Sequence, residues 1–200
     1  MTDLLLATRN PGKMREMAGF LLAGGPVMRL LSLADLGTCE EVEESGNTFA
    51  ENARLKADFY SRLTGLDTLG DDSGLEVFAL GGSPGVRSAR YAGNQAGDGA
   101  RIRKLLAEMQ GISDRRARFV SAVCISRNGS PLASFSGEVE GEILSQGRGA
   151  GGFGYDPLFL YPPLARTFAE LPLEEKNKVS HRARALAQVR EFISGGGLAR

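Results

Sequence analysis

Two hundred residues with 42% hydrophobic content can bury one substantial core, or two lobes sharing one, and predict a single domain over 1–200. Lys plus Arg and Asp plus Glu are equal at 24 each, which excludes both the basic excess of a nucleic-acid-binding surface and the acidic excess of a disordered tail. The apolar run Leu4–Ala7 is too short and too poor in flanking basic residues for a signal peptide, and no stretch approaches the ~20 apolar residues of a membrane span, so the expectation is a cytoplasmic protein without nucleic-acid or membrane partners.

In chain order, Leu4–Ala7 reads as a strand buried on both faces. Pro11-Gly12 then opens a helix with Met14, Met17, Ala18, Leu21 and Leu22 on one face. Thr48 and Glu51 have capping-box spacing and start a second helix over 48–63, with Phe49, Ala53, Leu55, Phe59 and Leu63 at helical intervals. Asp71-Asp72-Ser73-Gly74 interrupts two strand-like pieces, which predicts a strand edge or tight turn. Ile102, Leu105, Leu106 and Met109 mark a third helix.

Residues 117–126 alternate and are rich in β-branched side chains, Asn128-Gly129 is a hairpin signal, and 131–145 continues the alternation. Ser180 offers an N-cap for a last helix over 181–194, and Gly195–Gly197 reads as a frayed tail. Cys39 and Cys124, distant and without a CxxC partner, read as reduced core or loop residues. Early strand–helix alternation followed by a hairpin predicts an α/β fold, a mixed sheet with helices packed on it.

Four clusters could carry chemistry. Thr8-Arg9-Asn10-Pro11-Gly12-Lys13 lies between a buried strand and a helix N-terminus, where backbone N–H groups and the dipole favour phosphate; the Walker A pattern fails, because Met14 follows Lys13. An ordinary strand–helix loop is the alternative. Glu40, Glu41, Glu43 and Glu44, with Lys56 and the Asp71-Asp72 pair downstream, offer hard oxygen ligands of the kind Mg²⁺ takes one or two of. A solvated acidic loop is the alternative there, but adjacent carboxylates among apolar residues call for a compensating cation or proton.

Gly147 to Pro157 formally contains GxGxxG, yet no helix opens behind it, so a nicotinamide-dinucleotide fold is a poor reading. A flexible loop presenting an aromatic ring and one carboxylate fits better. The fourth cluster is Lys176 with Ser180-His181-Arg182, holding the single histidine, where an anion or carbonyl contact is chemically reasonable.

The blocks ATRNPGK (7–13), EESGNTFAENARLKA (43–57), DDSGLEV (71–77), GGSPGVRSARYAG (81–93), GGFGYDPLF (151–159) and EEKNKVSHRARAL (174–186), in this order, resemble the inosine triphosphate pyrophosphatase family, also called dITP/XTP pyrophosphatases. The resemblance spans nearly the whole chain. It implies an elongated mixed β-sheet with flanking helices forming two lobes around a central substrate cleft, a homodimer, and Mg²⁺-dependent cleavage of noncanonical purine triphosphates (ITP, dITP, XTP) to monophosphate and pyrophosphate, which cleanses the nucleotide pool.

By the same resemblance, Thr8, Arg9, Asn10, Pro11, Gly12, Lys13 and Lys56 hold the triphosphate, and Glu43 or Glu44 with Asp72 holds the metal. Asp72 matches the general base, and Ser73 touches the substrate beside it. Phe153, Gly154, Tyr155, Asp156, Lys176, His181 and Arg182 form the base pocket. A 6-keto purine offers an N1–H donor and an O6 acceptor, which an acceptor such as Asp156 and donors such as His181 or Arg182 would pair; adenine inverts that pattern, and mispairing can be penalised by factors of ~10⁴. A nucleotide sensor lacking hydrolysis is the alternative from another class, and a sensor has no need of a general base.

Overall fold

The computed structural model describes residues 2–23, 28–37 and 40–199. Its elements are β1 (Thr2–Ala7), α1 (Pro11–Leu22), β2 (Met28–Ser32), α2 (Phe49–Thr64), β3 (Asp67–Val77), α3 (Asp98–Glu108), β4 (Arg116–Arg127), β5 (Ser130–Ile143), β6 (Phe159–Tyr161), β7 (Arg166–Thr167), α4 (Leu173–Val179) and α5 (His181–Ser194), with short 3₁₀ turns between them. The strands form one open mixed sheet in the order β2-β1-β3-β4-β5-β6-β7, with β1 parallel to both β2 and β3 and β6 antiparallel to β5 and β7. This is the expected mixed sheet with flanking helices. Among the described residues, no helix is long and apolar enough to cross a membrane.

The chain divides into two compact units, one of 1–72, 121–137 and 181–200, the other of 73–120 and 138–180. In the first, Leu4, Leu6 and Leu69 of the sheet pack with Met17 and Leu21 of α1 and with Ala185, Leu186 and Val189 of α5. Leu5 and Ala7, on the opposite face of β1, pack with Leu33 and Tyr60. Gly137 permits a close approach within this unit, because a Cβ there would lie 2.7 Å from the Ala185 backbone nitrogen. The second unit closes on Leu75, Leu105, Met109, Phe119, Val139, Phe159 and Phe168, where the Phe119 and Phe168 rings stack at 5.8 Å.

Several expectations hold for visible reasons. Thr48 and Glu51 form a reciprocal capping box at α2, and Gly65 ends that helix at φ 71°. Asn128 and Gly129 take φ values of 49° and 78°, the paired positive angles of a tight hairpin, between β4 and β5.

Others are corrected. Asp71 and Asp72 sit inside β3, which runs unbroken over eleven residues instead of being split by a turn. Both are paired, so the strand need not break to solvate them. On α1, Leu22 faces solvent while Glu16 is buried beside Met17, since Glu16 has a cationic partner. On α2 the buried stripe is Phe49, Asn52, Ala53, Lys56, Ala57 and Tyr60, leaving Leu55 and Leu63 exposed.

The glycine tail is docked, not frayed: the Gly195 and Gly197 amides donate to Glu191 and Phe192 carbonyls, Arg127 donates to the Leu198 carbonyl at 2.9 Å, and Leu198 is buried. Cys124 is a buried free thiol, as expected, and Cys39 lies outside the described residues.

Candidate active site

In the first unit the 8–13 loop is organised by its own side chains. Asn10 caps α1, its Oδ1 accepting from the Gly12 and Lys13 amides at 2.8 and 3.1 Å, while Thr8 Oγ1 accepts from the Asn10 amide at 3.2 Å. Pro11 takes the first helical position, where a missing N–H costs nothing. Two of the amides expected to face phosphate are thus met by Asn10 itself. Arg9 is exposed and donates to the Glu40 carbonyl at 2.8 Å.

Successive residues of a strand point to opposite faces, and β3 uses this to separate its two carboxylates. Asp71 meets Lys13 Nζ at 2.7 Å, the Ser121 hydroxyl at 2.8 Å and Arg182 Nε at 3.5 Å. Burial alone would raise its pKa, but Lys13 and Arg182 outweigh burial and hold the carboxyl well below the usual range. Arg182, itself buried, is also ion-paired with Glu16. A chain of alternating charge therefore runs Lys13, Asp71, Arg182, Glu16.

Asp72 faces α2 instead. Its Oδ2 accepts from Asn52 Nδ2 at 3.1 Å, and its Oδ1 lies 3.6 Å from Lys56 Nζ, which also meets Glu44 Oε1 at 2.6 Å. Here burial wins: it raises the Asp72 pKa, with Glu44 adding to the rise, against the lowering pull of Lys56, Lys13 and Asn52. Lys56 is pushed down by burial but ends above its ordinary value, because Asp72 and Glu44 stabilise its charge.

Gly70 makes this approach possible. A Cβ there would fall 2.8 Å from the Ala57 backbone nitrogen of α2 and closer still to the Ala53 carbonyl. The sequence spacing therefore serves the site directly, since Asn52 and Lys56, one helical turn apart, share the face that meets Asp72.

For a divalent cation, the donor set that fits is Glu44 with Asp72, two hard carboxylates already converging on one positive charge. Glu43 is exposed and does not join them, and among the described residues no three His, Cys, Asp or Glu side chains gather as a metal cluster. His181 opens α5, buried in the first unit.

In the second unit, the 147–157 loop is held by hydrogen bonds at several points. Arg148 and Gly151 amides donate to the Pro157 and Ala169 carbonyls, and Asp156 is buried, accepting from the Phe153 amide at 2.9 Å and ion-paired with Lys176. Gly152, at φ 69°, must lack a side chain because a Cβ would collide with the Asp156 carboxylate. Lys176 Nζ stands 5.0 Å from the Phe153 ring centroid, within cation–π range.

The Gly154 amide donates to Asp98 at 2.6 Å, and Tyr155 donates to the Ser88 carbonyl at 3.0 Å, its phenol pushed well up by burial. Ser73, half-buried, follows Asp72 on β3. The chain turns into β6 after Pro157 without a helix, so the GxGxxG pattern has no dinucleotide-fold context.

A sequence model of the Ham1 family matches residues 4–192. The chain belongs to the Ham1 family. Among curated relatives, a dITP/XTP pyrophosphatase of Geobacter sulfurreducens is 50% identical over 200 residues, covering 99% of this chain and 100% of its own. The solved structure of a HAM1 protein from Coxiella burnetii matches with a TM-score of 0.88 at 40% identity, over 98% of this chain and 100% of that one. The Staphylococcus aureus Ham1 protein gives 0.85 at 38% identity, over 97% and 99%. The Ham1 match takes in both polar clusters, from Thr8 through Arg182.

Sequence reading missed Asn52, Glu16 and Ser121, and gave Asp71 no partner. Asn52 carried a usable signal, its i,i+4 spacing to Lys56. Glu16 and Ser121 carried none, because their partners lie 166 and 50 residues away.

Proposed function

We propose that this chain hydrolyses noncanonical purine nucleoside triphosphates (ITP, dITP, XTP) to the monophosphate and pyrophosphate, in keeping with the names of its dITP/XTP pyrophosphatase relatives, and so cleanses the nucleotide pool. The observation that carries the chemistry is a buried Asp72 whose carboxylate is oriented by Asn52 beside the Lys56 ammonium, which aims a fixed acceptor at the proton of an attacking water. In the proposed step, Asp72 takes a proton from water as its oxygen bonds the α-phosphorus. The bond from that phosphorus to the α–β bridging oxygen breaks, and its electron pair leaves with pyrophosphate.

Lys13 and the N-terminus of α1 bear on the triphosphate, and Lys56 stabilises the charge beside Asp72. Glu44 and Asp72 hold Mg²⁺, which when bound supplies positive charge to the phosphates. Ser73 touches the substrate. Phe153 offers the purine a stacking face, worth about 1–3 kcal/mol. Gly154, Tyr155, Asp156, Lys176, His181 and Arg182 complete base recognition. Of these, Asp156 and Lys176 pair with each other and Arg182 pairs with Glu16, which suits them to shaping the donors and acceptors around the base. A homodimer in the cytoplasm completes the reading.

The test is a panel of ITP, dITP, XTP, GTP, ATP and dUTP with Mg²⁺, following pyrophosphate and orthophosphate separately. Pyrophosphate from the first three, far faster than from ATP, supports the reading. Orthophosphate, or no turnover, counts against it.

A further inference from the structure

We propose that Glu16 is a positioning residue for the phosphate-binding lysine, an inference that rests on the function proposed above. Glu16 is buried on α1, three residues beyond Lys13, and ion-paired with the buried Arg182. Arg182 in turn reaches Asp71 Oδ1 through Nε at 3.5 Å, while Lys13 takes Asp71 Oδ2 at 2.7 Å. Two cations thus share one carboxylate, an oxygen each.

A guanidinium removed from water must be neutralised by its surroundings. With Glu16 holding one side of it, Arg182 needs only a looser contact with Asp71. Without the Glu16 charge, more of that neutralisation falls on Asp71, in the bidentate grip a guanidinium favours on a carboxylate, and Lys13 loses its oxygen. Because Lys13 and Glu16 share one helix, the group that meets phosphate and the group that restrains its competitor are positioned together.

The test compares wild type, Glu16→Gln, Lys13→Ala and the double variant. The first reading is the rate at which acetic anhydride acylates Lys13, followed by mass spectrometry. Lys13 is 14% exposed and held by Asp71, so Glu16→Gln should raise this rate at least about threefold. The second is steady-state hydrolysis of ITP: Glu16→Gln should raise KM about tenfold with kcat changed less than about twofold, and should add nothing in the Lys13→Ala background.

Unchanged acylation of Lys13, or a lowered kcat at constant KM, overturns the proposal, since a merely structural role predicts fewer active molecules and not displaced lysine. If wild type fails to cleave ITP while Glu16→Gln still speeds acylation, the positioning stands and the proposed function falls. Should Glu16→Gln not fold, Glu16→Asp, which withdraws the carboxylate by one methylene, should acylate faster than wild type, and an unchanged rate again overturns the proposal.

Discussion

Asn52 donates through Nδ2 to Asp72 Oδ2 at 3.1 Å, and both residues are buried. The same amide accepts from the Gly46 backbone through Oδ1 at 2.8 Å, so its orientation is fixed from both ends. Asn52→Ala removes the group that aims the carboxylate. The expected result is a kcat reduced at least about tenfold with KM changed far less, because orientation matters in the transition state. A KM effect alone would assign Asn52 to substrate binding.

Glu44, not Glu43, shares the Lys56 ammonium with Asp72. Glu44→Gln should raise the Mg²⁺ concentration for half-maximal rate about tenfold or more, in the range typical of lost ligation support, while Glu43→Gln leaves it unchanged. Chelation should abolish turnover and excess Mg²⁺ restore it. Titrating rate against Mg²⁺ for the three proteins checks the assignment.

Gly70 sets the distance between β3 and α2. In Gly70→Ala the new methyl meets helix backbone, which cannot give way as a side chain could. Overpacking of this kind costs about 1–3 kcal/mol or more. Because the displaced helix carries Asn52 and Lys56, activity should fall further than the loss of folded protein explains. Chemical denaturation beside kcat on the folded fraction separates the two effects.

Asp71 should contribute to the loss of stability in acid. Its folded pKa is depressed, so its contribution is present above the ordinary aspartate pKa of about 3.8 and is lost as pH falls below it toward the folded value. Asp71→Asn leaves Lys13 and Arg182 short of a buried counter-charge and should cost about 3–5 kcal/mol at neutral pH. The gap from wild type should narrow as pH falls below about 4, where the unfolded wild-type carboxyl is itself protonated. Urea unfolding at a series of pH values reads this directly.

The parts of the fold written in local chemistry were legible in advance: the Thr48 capping box, the Asn128-Gly129 hairpin and the buried run before Pro11 each need only a few neighbouring residues. Short strands such as β6 and β7 were not, because three and two residues carry no periodicity. The site was half legible. Acidic and basic residues drew attention by type, yet their division into two networks depends on Asp71 and Asp72 pointing to opposite faces of an unbroken strand, and a carboxylate pair in sequence looks like a turn until its partners are known. Leu55 and Leu63 misled for the complementary reason: the buried stripe of α2 is partly polar because it serves Asp72.

The most direct test of the central claim is where the attacking oxygen goes. Hydrolysis of ITP in heavy-oxygen water, with both products analysed by mass spectrometry, should place the label in the inosine monophosphate phosphate and leave pyrophosphate unlabelled, with the rate lost in Asp72→Asn. Label in pyrophosphate would move the attack away from the α-phosphorus, and a rate untouched by Asp72→Asn would remove that residue from the mechanism.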